Sequence, residues 1–207
     1  MTADIAAIIR GYIDNLPFVD KIGGLVKPLS LVRTEDGGRV IKKIIPIDCS
    51  VTHADCIKGR YTDLIPNSKY KSVIYFEDGG TIKVNDGRAD FAFQSNLKMV
   101  CWLNLKLLGK DNCSVSALAI ASILDAIPNN FINSSPYTRI QITCSGEDPK
   151  SPAIFSKYTY DENAIQYLMY PYDYFALNFQ VKYVIPRGCI TGLTPSAEID
   201  CIDNKNE

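Results

Sequence analysis

A run of alternating side chains near the C-terminus most strongly constrains how this chain can fold. Every odd position of the run is apolar, and three even positions carry Asn178, Gln180 and Lys182. The apolar members are Phe175, Leu177, Phe179, Val181, Tyr183 and Ile185. A period of two predicts a long strand with one buried face and one solvated face. A second alternating run, over residues 90–108, predicts another long strand.

Proline, glycine and helical spacing indicate the other elements. Residues 3–16 place apolar side chains at helical spacing and stop before Pro17, which predicts an N-terminal helix. Residues 115–127, rich in alanine, predict a second and largely buried helix, and residues 161–169 predict a short third one. Two β-rich runs on either side of a Glu-Asp-Gly-Gly sequence predict a hairpin over 70–84.

Together these elements predict an α+β fold. We expect a mixed or antiparallel sheet with the N-terminal helix and one or two further helices packed on it. The length fits a single domain over 1–189, with long loops at 48–69, 128–136 and 145–160. Residues 190–207 are polar at their end and are predicted to be an extended C-terminal tail that contributes little to the fold.

Charge and composition limit the classes of partner. Lys and Arg total 22 against 23 Asp and Glu, so the net charge of −1 predicts no sequence-specific binding of nucleic acid. The sequence has no apolar run long enough to span a bilayer and no basic region of a secretory signal at its start, so we expect no membrane association. The seven cysteines are odd in number and scattered, which favours a reduced, cytosolic environment.

One short segment has the residue types of a metal site. Cys49, His53 and Cys56 lie within a stretch of eight residues and are the candidate ligands of a structural zinc ion. Their Cys-x3-His-x2-Cys spacing is not a common zinc pattern, and a fourth ligand would have to come from elsewhere. The spacing therefore favours the alternative, a surface loop whose cysteines pack inward, and we expect no metal and no cofactor.

The sequence gives little support for catalysis. His53 is the only histidine, so any Ser-His-Asp or Cys-His system would depend on it, and no Gly-x-Ser-x-Gly elbow occurs. An acidic metal site is the remaining enzymatic alternative, and it would have to assemble Asp48, Asp55, Glu77 and Asp90. These acids lack the spacing of a calcium loop, and two of them, Glu77 and Asp90, border Asp-Gly turn sequences. We therefore predict that the protein is not an enzyme.

The order of the elements resembles that of one class of protein. An amphipathic helix ends at Pro17, a β-region with a large central loop follows, and a helix of small residues precedes a Tyr-Pro-x-Asp-x-Phe sequence at 170–175 that leads into the last strand. This layout is similar to the head-to-tail connector and tail-terminator proteins of tailed bacteriophages, and the composition is similar to that of crAss-like phages. The resemblance implies a non-enzymatic subunit that stacks in a ring.

The function predicted from these features is that of a virion structural protein. The chain would form a ring of six or twelve copies in the phage neck or tail, contact neck or tail proteins such as the portal or tail tube, and assemble in the host cytoplasm before residing in the virion. Four aromatic residues in the predicted loops are the expected contact residues, because aromatic anchors often dominate interfaces. They are Tyr61, Phe131, Tyr158 and Tyr160. The alternative is a small intracellular accessory domain that binds another protein along a sheet edge without catalysis.

Overall fold

The computed structural model describes residues 1–34, 40–48, 61–86, 90–109, 114–159 and 166–189. Within these ranges the chain forms two α-helices, nine β-strands and three short 3-10 helices. The α-helices are α1, Thr2–Ile13, and α2, Ser114–Ala126. The strands are β1 (Lys21–Leu25), β2 (Lys27–Thr34), β3 (Val40–Asp48), β4 (Thr62–Asp63), β5 (Ser72–Asp86), β6 (Asp90–Asn104), β7 (Ile132–Ser134), β8 (Tyr137–Glu147) and β9 (Tyr172–Pro186). The 3-10 helices span Pro152–Phe155, Gln166–Leu168 and Arg187–Cys189.

The strands form two sheets. The larger sheet has six strands in the order β1-β5-β6-β9-β8-β7 and curls into a half-barrel. β1 runs parallel to β5, and the other neighbours are antiparallel. β5, β6 and β9, each 15 residues long, form its centre. The smaller sheet is antiparallel, in the order β2-β3-β4.

The main core lies on one face of the large sheet. α1 buries Ile5, Ile9 and Ile13 there, because residues four apart lie on the same side of a helix. α2 contributes one stripe of its own surface to the same cluster. Each fully buried side chain of this size contributes about 1.5–3 kcal/mol of transfer free energy. The strand residues of the cluster include Ile74, Phe76, Leu97, Met99, Cys101, Phe175, Leu177, Phe179, Val181 and Tyr183.

A second apolar cluster covers part of the opposite face. Trp102 stacks on Tyr172 with a centroid distance of 5.0 Å, and Ile154 and Phe155 of the first 3-10 helix pack beside it. As a result, the first half of β9 is buried on both faces. Buried and more exposed side chains alternate only from Asn178 onward. The strand predicted from Phe175 to Ile185 is confirmed, but its solvated face is shorter than its sequence indicated.

The predicted α+β fold class is wrong. Half of the chain is strand, and the part of the chain that the structure describes has only two α-helices, so the protein is mostly β. The glycines and Pro28 of residues 18–38 predict mainly a loop with a short strand at Pro28–Val32, yet β1 and all of β2 lie in this range. β2 and β3 pair over eight residues and form most of the second sheet. Much of the strand content therefore lies in segments whose sequences have no clear period of two.

The hairpin predicted over 70–84 is also wrong. β5 continues through the Glu-Asp-Gly-Gly sequence, and its pairing with β6 shifts register between Asp78 and Thr81, which is a β-bulge. Gly80 has a φ of +90°, and a Cβ on Gly79 would lie 2.9 Å from the carbonyl oxygen of Asn96. The two glycines are therefore needed for a bulge rather than for a reversing turn.

The remaining ranges predicted from the sequence contain short elements or lie outside the described residues. β4 lies within 48–69, β7 lies within 128–136, and the end of β8 and the first 3-10 helix lie within 145–160. Of the helix predicted at 161–169, the structure describes a 3-10 helix in the second half. Residues 190–207 lie outside the described ranges, so their role as a tail stays a prediction.

Candidate interaction surface

A cleft with a volume of about 370 Å³ opens where four segments meet. These are the segment after α1, the residue before β5, the turn after β6, and one side of α2. Most of its lining is apolar, and Lys71 is the charged side chain at its wall among the described residues. We call it the apolar cleft, and its main apolar residues are Phe18, Leu107, Leu108, Val115, Leu118 and Ala119.

Two leucines of the apolar cleft are exposed to a degree unusual for large apolar side chains. Leu118 is 52% exposed and Leu107 is 49% exposed. α2 buries only the stripe of Val115, Ala119 and Ile123, so the expectation that this helix is largely buried is wrong. The sequence analysis did not predict the apolar cleft. Its one available signal was Leu118, which at helical spacing lies outside the stripe of Val115, Ala119 and Ile123. Grouped exposed apolar side chains of this kind mark interaction surfaces.

A buried asparagine fixes the turn that presents Leu107. Asn104, at the end of β6, is 3% exposed, and its Nδ2 donates a hydrogen bond to the carbonyl of Ser68 at 3.1 Å. Its Oδ1 accepts the backbone N–H of Leu107 at 3.3 Å, and its own carbonyl accepts that of Leu108 at 3.1 Å. Both the amide nitrogen and the amide oxygen of Asn104 are hydrogen-bonded, so the turn holds Leu107 and Leu108 in position. Leu107 is held there although its side chain is exposed.

Three ion pairs fasten the segment between β8 and β9 across the centre of the large sheet. The pairs are Lys98–Asp148, Lys150–Asp173 and Lys157–Glu77. They connect this one segment to β6, β9 and β5 in turn. The ammonium of Lys98, 2.6 Å away, and the amide of Asn178 hold the pKa of Asp148 below its ordinary value. The acids and lysines of this face are thus engaged in holding the second cluster on the sheet.

Buried hydroxyls form the other polar contacts of the core. Ser95 Oγ lies 3.0 Å from Tyr183 Oη, and Tyr137 Oη donates a hydrogen bond of 2.5 Å to Asp4. Burial, followed by the Asp4 carboxylate, raises the pKa of Tyr137. Burial also acts to raise the pKa of Asp4, but the hydrogen bond from Tyr137 and the N-terminal ammonium outweigh it and the pKa is lowered. The hydrogen bond between Tyr137 and Asp4 joins β8 to the first turn of α1.

The structure separates the four predicted contact residues. Phe131, directly before β7, is 65% exposed, and Tyr61 is half-buried. Tyr158 packs edge-on against Tyr75 with a centroid distance of 5.9 Å, so its ring adds to the second apolar cluster. Tyr160 lies outside the described residues. The contact role of all four stays a prediction, and Phe131 has the most exposed side chain of the three that the structure describes.

The predicted metal-ligand residues and one of the acids fall where the structure gives no description. Cys49, His53, Cys56 and Asp55 lie outside the described ranges, so the zinc hypothesis is untested. Within the ranges that are described, no three His, Cys, Asp or Glu side chains come together as a metal site.

The structure does not bring the other three acids together. Asp48 is buried and accepts the backbone N–H of Gly24 at 2.9 Å, which joins the small sheet to β1. Glu77 pairs across the sheet with Lys98, whereas Asp90 lies at the first position of β6. Asp90 and Lys98 are eight positions apart on β6, so Glu77 and Asp90 lie roughly 26 Å apart along the sheet.

Comparison of the chain with protein-family models, with curated proteins and with solved structures found no match. Among the described residues, neither helix has the length and apolar character needed to cross a membrane. Functional inference about this chain therefore rests on its residues and their geometry.

Proposed function

We propose that this protein is a ring-forming structural subunit of the neck or tail of a tailed bacteriophage, a connector or tail terminator that acts through contacts between subunits. The observation that carries the proposal is the presence of two separate surfaces with exposed large apolar side chains. One surrounds the apolar cleft, and the other lies at Phe131 beside the short edge strand β7. In a closed ring, each subunit uses two different surfaces, one for each neighbour.

The two surfaces lie at opposite ends of α2. Leu118 lies in the first half of this helix, whereas Phe131 follows its end, and a helix of 13 residues is about 20 Å long. The surface at the apolar cleft also extends beyond it. The N–H of Leu105 donates to the carbonyl of Pro171 at 3.0 Å, which brings Met169 and Tyr170, 65% and 71% exposed, next to the turn that carries Leu107. Such a surface favours burial against another subunit.

The proposed ring has other virion proteins as partners and is assembled in the host cell. The ring would contain six or twelve copies and contact other virion proteins such as the portal or the tail tube, after assembly in the host cytoplasm. We infer no catalytic role, no cofactor, and no membrane or sequence-specific nucleic-acid partner. The engagement of the acids and lysines of the sheet in ion pairs that hold the fold supports a structural role.

Two variants that each damage one surface test the proposal. Leu118→Glu damages the side of the apolar cleft, and Phe131→Glu damages the side of β7. Each variant alone should be monomeric by mass photometry, because a head-to-tail interface needs one intact surface from each partner. Mixed together, they should form a heterodimer, since the intact side of each fits the intact side of the other. Ile82→Glu, at a residue that is 57% exposed on β5, is the matched control and should assemble like the wild type.

Two results would count against the proposal. Rings that persist in both variants would show that these surfaces do not form the interface. A wild-type chain that stays monomeric at high concentration would favour the alternative, an intracellular accessory domain that binds a partner along a sheet edge. The outer side of β8, with a stretch that has no described strand beside it, is the observation that favours this alternative.

A further inference from the structure

Among the described strands, part of β8 has a neighbour on only one side. β9 pairs with it from Thr138 to Glu147, whereas the pairing with β7 reaches only as far as Ile140. Over residues 141–144, no strand of the described part of the chain lies on the outer side of β8. The outward N–H and C=O groups of an edge strand are a template for pairing with another extended segment.

A cavity of about 310 Å³ lies beside this free edge, between β8 and the end of α2. Its apolar lining consists of Leu124, Ile127, Ile142, Cys144 and Phe179. Asn129, Gln141 and Thr143 complete its lining. Along β8, the buried Ile142 and the half-buried Cys144 alternate with the exposed Gln141 and Thr143. Because side chains alternate between faces in a strand, an added strand would direct every second side chain toward the cavity.

The exposed face at this edge carries positive charge. Lys182 of β9 pairs with Gln141 in the sheet register, and its side chain is exposed. Arg139 is exposed as well and lies in the irregular stretch of β8 between Thr138 and Gln141, where the register with β9 shifts. A strand that matches this edge therefore has small or apolar side chains on one face and acidic side chains on the other.

The chain contains one segment with this pattern outside the described residues. Ala197, Ile199 and Cys201 alternate with Glu198 and Asp200. Seven residues, 190–196, separate this segment from Cys189, and seven residues span at most about 25 Å. The segment therefore has the side-chain pattern that the free edge requires and a tether long enough to reach outside its own sheet.

The source that the geometry favours is a second copy. β9 ends beside Thr138, at the end of the sheet where β7 already occupies the edge position. The chain's own segment would have to pass β7 and then run parallel to β8. A segment from a neighbouring copy can approach from the open end and pair antiparallel, as β8, β9, β6 and β5 do with one another.

We propose that residues 197–201 of a neighbouring copy add as a strand to residues 141–144 of β8. Ile199 enters the cavity, and Glu198 and Asp200 lie toward Arg139 and Lys182. This inference rests on the proposed ring assembly and names the segment and the edge through which one subunit holds the next.

Cross-linking of two native cysteines tests the pairing. In the full-length chain, Cys49, Cys56, Cys113 and Cys189 are replaced by serine, while Cys144 and Cys201 are kept together with the fully buried Cys101. Antiparallel pairing that sets Ile199 opposite Ile142 places Cys201 four residues along the sheet from Cys144, a separation of roughly 13 Å. A bis-maleimide with a spacer of that length should therefore link Cys144 to Cys201. Mixing isotopically labelled and unlabelled copies should show by mass spectrometry that each link joins two copies. The Cys144→Ser and Cys201→Ser variants should each lose the link.

A pair of substitutions in the added segment gives an independent measure. Ile199→Asp should weaken self-association about tenfold or more, because it replaces an apolar side chain with a carboxylate against the apolar part of the cavity lining, which includes Ile142 and Phe179. Ile202→Asp, outside the alternating pattern, is the matched control and should assemble like the wild type. Rings without the cross-link, or links confined to single copies, would overturn this inference and leave the ring proposal standing. A chain that is monomeric and shows no link would overturn both.

Discussion

Lys157 Nζ lies 2.7 Å from Glu77 Oε2 and so pairs a lysine that is 59% exposed with a carboxylate that is 3% exposed. The other carboxylate oxygen, Glu77 Oε1, is buried and has no hydrogen-bond partner among the described residues. The ion pair attaches the segment after the first 3-10 helix to β5, next to the contact of Tyr158 with Tyr75. It therefore helps to hold the second apolar cluster on the large sheet.

Loss of this lysine should destabilise the fold. Lys157→Met leaves the Glu77 carboxylate buried without its cation, and we expect the free energy of unfolding to fall by about 1–3 kcal/mol. Urea unfolding monitored by circular dichroism measures the change. Lys69→Met, at an exposed lysine before β5, is the control and should unfold like the wild type. Equal stability of Lys157→Met and the wild type would show that the ion pair contributes nothing.

The centre of β9 should not tolerate a charge on its buried face. Phe179 is 2% exposed, and Phe179→Asp would bury an unpaired carboxylate at a cost of several kcal/mol, comparable to the whole stability of a domain. We expect this variant to be unfolded by circular dichroism. Gln180→Asp, on the next residue and the other face, should remain folded. Cooperative unfolding of Phe179→Asp near the wild-type midpoint would contradict the assignment of the core.

The sequence predicts an element well where a regular period continues over many residues. Phe179 was placed in a buried strand on this basis, and the structure confirms it. The glycine pair before Thr81 was misinterpreted because a bulge and a turn require the same backbone freedom. The apolar cleft escaped prediction because Phe18, Leu107 and Leu118 come from three distant segments, and no local pattern shows that they meet. The second cluster likewise depends on contacts between segments that look like loops.

Acid should weaken the attachment of the segment after β8. The pKa of Asp148 is lowered in the fold by Lys98 and then by Asn178. A lowered pKa means that the contribution to stability is present above the ordinary value of 3.8 and is lost as the pH falls through the folded value. Asp148→Asn should therefore be less stable than the wild type at neutral pH, and this difference should shrink below about pH 4.

Urea unfolding at a series of pH values provides this comparison. Asp125→Asn, at an exposed position on α2, controls for the simple loss of a carboxylate. A difference between Asp148→Asn and the wild type that stays constant from neutral to acid pH would show that the ionised carboxylate does not stabilise this attachment.

Truncation after Cys189 should separate folding from assembly. All members of the two apolar clusters in the part of the chain that the structure describes lie before Cys189, and the polar end of residues 190–207 predicts that they contribute little to the fold. The melting temperature should therefore stay within a few degrees of the full-length value. Self-association should be weakened, because the truncated chain lacks residues 197–201. Truncation after Ile202 keeps them and should assemble like the full-length chain. A large fall in melting temperature on the shorter truncation would show that residues 190–207 belong to the core.

The most direct test of the account is the mass of the purified full-length protein in solution. Mass photometry, supported by electron micrographs of the same sample, should show closed rings of six or twelve copies. The rings should be lost in Leu118→Glu and retained in Ile82→Glu. A protein that remains monomeric at high concentration, and that forms no ring when its connector partner is added, would contradict the proposed function.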